Sequence, residues 1–115
     1  MEKRVAIYCR LDKGGDPETA KNIAHLQENY LIDFASKHGY SVFEIYSDIG
    51  YAGHDLTRPE FLRMLRDAEK GAFDAILTTN HNRLYRGDIA AIPPIPVPVI
   101  ALDGPNRWIK RCPIR

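Results

Sequence analysis

The 115-residue sequence contains two cysteines. Cys9 sits inside an apolar run and Cys112 near the end, so neither a disulfide framework nor a CxxC pair is visible. A reducing compartment, the cytoplasm, is the expected setting. No apolar run approaches the roughly 18 residues that a membrane span needs, and the opening "MEKRVAIYCR" lacks the apolar length and the cleavage site of a secretory signal. Excess charge of one sign is also missing. With 16 Lys and Arg against 15 Asp and Glu, the net charge is +1, and no global field points to nucleic acid or to an acidic partner. His25, His38, His54 and His81 show no metal-ligand spacing, so no metal site is expected. The "DKGG" at 12–15 lacks the glycine spacing of a P-loop or dinucleotide fingerprint. Lone Ser, His and Asp residues suggest no triad, and no cofactor is implied.

What is present is one domain's length of chain in which short apolar runs alternate with helical patterns. "RVAIYCR" is nearly continuous in apolarity, as a strand covered on both faces should be. Asp16 is a fair N-cap with Pro17 behind it, predicting a long helix to about Lys37 that stops at His38-Gly39. "YSVFEIYS" is the second strand. Thr57-Arg58-Pro59-Glu60 has capping-box spacing, and Phe61, Leu62, Met64, Leu65 and Ala68 form a helical stripe ending at Gly71. "FDAILTT" is the third strand and "VPVIALD" the fourth, after "PPIPVP" at 93–98, which no helix interior would tolerate. The order predicts a three-layer α/β domain over 1–103, with a mainly parallel four-stranded sheet and helices on both faces. The tail 104–115 holds Arg107, Lys110, Arg111 and Arg115 and no acid. Two readings stay open for it: a solvated terminus, or a segment that tracks a phosphate backbone.

In such a sheet, functional residues gather beyond the carboxyl ends of the strands. Arg10 and Asp12 stand there after the first strand, Asp48 after the second, and "NHNRLYRG" after the third. Arg83 and Arg86 are three apart, so on a helix they share a face and can grip one phosphate. Arg10 and Arg58 would complete a cluster of four guanidiniums. An arginine at the end of a buried strand must find an anion or leave its charge unpaired. Gln27 lies four residues after Ile23 and four before Leu31, on the apolar stripe of the first helix. It is either a boundary residue or a donor aimed at the same pocket.

"RVAIYCRLD", Gln27 in "HLQENY", "GYSVFEIYSDIGYAGHDLTRPEFLRML", "DAEKGAFDAIL" and "NRLYR" together resemble the N-terminal catalytic domain of the serine recombinases, the resolvase and invertase family. The resemblance spans about residues 3 to 90. It implies a resolvase-like fold and a DNA strand-exchange domain that works as a dimer or tetramer. It also implies a serine that attacks the scissile phosphate to give a 5′-phosphoserine link, arginines that stabilise the phosphorane, and no metal. Arg10, Gln27, Asp48, Arg58, Arg83 and Arg86 match the family's active-site positions.

Three departures cluster there. Asp12 stands where the family has its nucleophilic serine, Asn82 where it usually has aspartate, and Ala52 where it usually has serine. A carboxylate among arginines is a resident counter-ion that opposes entry of a phosphate. The family's long dimer-forming helix and its DNA-binding domain are expected downstream, and "GDIAAIPPIPVP" stands in place of the former. These features predict a degenerate site on a fragment or a remnant of a mobile element. Two alternatives remain. One is a non-catalytic DNA-binding or dimerising module. The other is an aspartyl phosphotransfer domain using Asp12 and Asp48 with a divalent ion, against which stand the arginines and the lack of a lysine after a late strand.

Overall fold

The computed structural model describes residues 3–11, 16–50, 58–79 and 95–102, together with the backbone of 107–109. Strand β1 (Lys3–Leu11) leads to helix α1 (Pro17–Lys37), strand β2 (Tyr40–Ile49), helix α2 (Pro59–Glu69), and strands β3 (Ala75–Thr78), β4 (Val99–Ala101) and β5 (Arg107–Ile109). The sheet order is β2-β1-β3-β4-β5. Strands β1 to β4 are parallel to their neighbours, as expected from the alternation of strands and helices. The fifth strand differs from expectation: β5 pairs antiparallel with β4, so the basic segment read as a tail contributes a sheet edge. Three residues between "GPN" and "KRCPIR" are too short a run to show a strand period.

The central strand explains its own composition. Val5, Ile7 and Cys9 face α1, packing with Leu31, Ala35, Ala75 and Leu77. Ala6 and Tyr8 face the other way, joining Tyr46, Phe61, Met64, Leu65 and Ile76 under α2. Both faces of β1 are therefore dry, and an apolar-polar alternation would have buried polar groups without partners. The register shifts between Val5–Val42 and Ala6–Glu44, so Phe43 is the extra residue of a bulge in β2 and is left exposed.

Helix α1 begins as its sequence predicts. The Asp16 carboxylate accepts from the Thr19 backbone N–H at 3.1 Å, and Pro17 occupies the first turn. It ends at His38, followed by Gly39 at φ +75°, a left-handed conformation that glycine adopts without strain. Its buried line is Ala24, Leu31 and Ala35. Ile23 is exposed, so the stripe drawn through Ile23, Gln27 and Leu31 is a correction: the helix is rotated toward Ala24, and Gln27 flanks the contact line.

Helix α2 begins differently from the capping-box expectation. Its N-cap residue is Arg58, whose side chain makes no capping bond, and Thr57 lies outside the described residues. The cap comes from Asp48 on β2, which accepts from the backbone N–H groups of Glu60 and Phe61. Among the described residues no helix is long and apolar enough to cross a membrane.

Candidate functional site

Residues 8 and 10 of a strand point to the same face, so Tyr8 and Arg10 both project toward α2. Asp48 is the register partner of Arg10 on β2, and Arg58 opens α2. Strands β1 and β2 run parallel and end together, with the Gly50 N–H donating to the Leu11 carbonyl at 2.8 Å. The carboxyl ends of two neighbouring strands and the amino end of a helix therefore meet at one place. Arg10, Asp48 and Arg58 are 1%, 2% and 0% exposed; charge is this deeply buried only where it is paired.

Three donors hold Asp48. Its Oδ2 accepts from the Tyr8 hydroxyl at 2.8 Å and from the Phe61 N–H at 3.0 Å; its Oδ1 accepts from the Glu60 N–H at 3.1 Å. A negative charge thus sits at the positive end of α2 and satisfies two of its otherwise orphaned donors. The Arg58 Nη1 donates to the Tyr8 hydroxyl oxygen at 2.9 Å. The same guanidinium lies 4.2 Å from the centre of the Phe61 ring and 5.7 Å from that of Tyr8, a cation–π arrangement in a desolvated place. Burial lowers the Arg58 pKa, and the charge of Arg10 acts in the same direction while Tyr8 and Asp48 oppose it. An arginine nonetheless stays protonated at neutral pH. Burial, more than any other influence, raises the Tyr8 phenol; the neighbouring Asp48 adds to the rise and Arg58 works against it.

Of the residues expected at the site, the structure brings together Arg10, Asp48 and Arg58. Gln27 stands on α1, in the layer across the sheet; its Oε1 is buried without a hydrogen-bond partner among the described residues. Asp12, Ala52, Asn82, Arg83, Arg86, Lys110 and Arg111 lie outside the described residues, and Arg107 is described only as backbone in β5. Tyr8 was missing from the expected set because it read as one more apolar residue of β1. Its signal was the period of two: it shares a face with Arg10. Thr78 is a second such residue, its Oγ1 donating to the Tyr8 carbonyl at 3.0 Å and tying β3 to β1 beneath the site. Among the described residues no group of three or more His, Cys, Asp or Glu is placed to hold a metal ion.

The sequence pattern described as "Resolvase, N terminal domain" matches residues 5–92, a span that includes β1 from Val5 onward and all of α1, β2, α2 and β3. The chain belongs to the resolvase N-terminal domain family. Its fold is that of serine recombinase catalytic domains. It superposes on the C-terminal catalytic domain of ISC1926 TnpA, an IS607-like serine recombinase, with a TM-score of 0.73 and 26% identity, covering 88% of this chain and 68% of that one. The N-terminal catalytic domain of TP901-1 integrase gives 0.68 at 29% identity, with 88% and 78% covered. A resolvase family site-specific recombinase from Streptococcus pneumoniae gives 0.67 at 20% identity, with 89% and 73% covered, a likeness of fold. No curated protein sequence matches the chain.

Proposed function

We propose that this resolvase-family domain is a DNA strand-exchange catalytic domain that keeps a phosphate-binding pocket and has lost covalent capture. The observation that carries the reading is the buried cluster at the ends of β1 and β2, where Arg10, Arg58 and Asp48 come together. Guanidiniums gathered at the carboxyl ends of two strands in a resolvase-family domain are the groups that would recognise a phosphodiester. Asp48 in this reading is a holder and not a reactant: its two oxygens already accept from three donors. The same commitment weighs against the aspartyl phosphotransfer alternative, in which Asp48 would turn its oxygens to a cation.

Asp12 follows Leu11, the last residue of β1, and so stands next to this pocket in the chain. A serine there would attack phosphorus through its oxygen and release the 3′-oxygen, conserving the broken bond as a phosphoserine ester. An aspartate brings a second anion instead, repels the phosphate, and could give only a hydrolysis-prone acyl phosphate. DNA is therefore the partner and the backbone phosphate the group recognised, with self-association of the chain following the family's habit. Binding of the full chain to a fluorescein-labelled DNA duplex, followed by anisotropy at several KCl concentrations, tests the reading. Weak, sequence-independent binding is expected, with the association constant falling by a log–log slope of about 0.9 per phosphate contact. No binding, or tight salt-insensitive binding to one sequence, would contradict it.

A further inference from the structure

We propose that Tyr8 is the positioning residue for Arg58, fixing the direction in which its guanidinium meets a phosphate; the inference rests on reading this pocket as a phosphodiester site. One hydroxyl joins the cation to the anion. It accepts from Arg58 Nη1 at 2.9 Å and donates to Asp48 Oδ2 at 2.8 Å, so its proton has one direction and its lone pair another. Asp48 cannot turn to follow, because the backbone N–H groups of Glu60 and Phe61 hold it against the first turn of α2. Orientation thus passes from a helix terminus, through a carboxylate and a phenol, to one nitrogen of an arginine.

The phenol is itself immobile. Tyr8 is fully buried, its ring meets Phe61 edge-on with centroids 5.8 Å apart, and its carbonyl is tied to β3 by Thr78. A guanidinium presents its N–H donors in one rigid plane. With Nη1 directed to the phenol at 2.9 Å and Cζ over the Phe61 ring at 4.2 Å, the guanidinium of Arg58 is held at two points, one of them through the Tyr8 hydroxyl. Ordering a long arginine side chain costs conformational entropy, and holding it before the ligand arrives lowers that cost at binding.

A residue that acts only through Arg58 has no effect once Arg58 is gone, whereas a residue that merely stabilises the fold acts independently of it. Tyr8→Phe keeps the ring, its burial and its contact with Phe61 and removes the hydroxyl alone. The full chain, Tyr8→Phe, Arg58→Gln and the double variant are compared by anisotropy on the same labelled duplex over a range of KCl. Thermal melts identify a temperature at which each is folded; should Arg58→Gln not fold, Arg58→Lys, which keeps the charge and loses the fork, completes the cycle. Arg58→Gln is expected to lower the salt slope by about 0.9, one phosphate contact. Tyr8→Phe alone should weaken binding by part of the same amount, and in the Arg58-substituted background it should change nothing. Full additivity, or wild-type binding by Tyr8→Phe while the Arg58 variant is weakened, would overturn the role given to Tyr8. Unchanged binding by the Arg58 variant would instead overturn the phosphate-site reading.

Discussion

Ionisation at the residue scale follows from where two phenols lie. Tyr8 and Tyr46 are buried on the α2 side of the sheet, and each donates to a carboxylate, Tyr8 to Asp48 at 2.8 Å and Tyr46 to Asp67 at 2.6 Å. Burial and these neighbours raise both phenols above the ordinary value of 10.0. Because the folded state holds those protons more tightly than the unfolded chain does, their contribution to stability is complete below pH 10 and is lost as pH rises beyond it. A titration followed at 295 nm should therefore show a late component among the six tyrosines, smaller in Tyr8→Phe. Ordinary titration of every phenol near pH 10 in the folded protein would contradict the network. At the same scale, the sequence made Arg10 legible because a charge closing an apolar strand needs an anion. It did not make Tyr8 legible, because a tyrosine hydroxyl acquires its role from Asp48 and Arg58, 40 and 50 residues away along the chain.

Elements differ in how far their ends are written locally. Helix α1 was legible at both ends because Asp16, Pro17 and Gly39 act on their own neighbours. Helix α2 was not, since its capping carboxylate belongs to β2 and reaches it only in the folded chain. Asp48→Asn should therefore weaken α2 and the fold together. It replaces one of the two acceptor oxygens with a donor, leaving a buried partner unsatisfied at a cost of about 1–3 kcal/mol. Urea unfolding measures this, and an unchanged midpoint would show that the cap is dispensable. The opposite outcome is expected on α1. Gln27→Leu removes a buried Oε1 that has no hydrogen-bond partner among the described residues, so the same assay should show no loss of stability and a gain of up to about 1 kcal/mol. A loss of several kcal/mol would place Gln27 in a buried polar network.

Among the described residues the sheet carries α1 on one face and α2 on the other, and a charged cluster lies where β1, β2 and α2 meet. The strand–helix alternation made this architecture readable, since each apolar run had the length and content of its layer. The short edge strand β5 was not readable: its pairing is set by β4, not by its own sequence. The departures at Asp12 and Asn82 bear on what the assembled molecule can do. In the proposed function the buried arginines receive a phosphate, while Asp12 supplies no hydroxyl to capture it. Asn82 can neither exchange a proton nor hold an arginine by charge as the family's aspartate does. Restoring both should matter more than restoring either. The most direct measurement is incubation with supercoiled DNA followed by a denaturing gel for protein–DNA adducts. The unaltered chain is predicted to give none, Asp12→Ser at most a trace, and Asp12→Ser with Asn82→Asp more. An adduct from the unaltered chain, stable to denaturation and mapped to a residue of this pocket, would contradict the account.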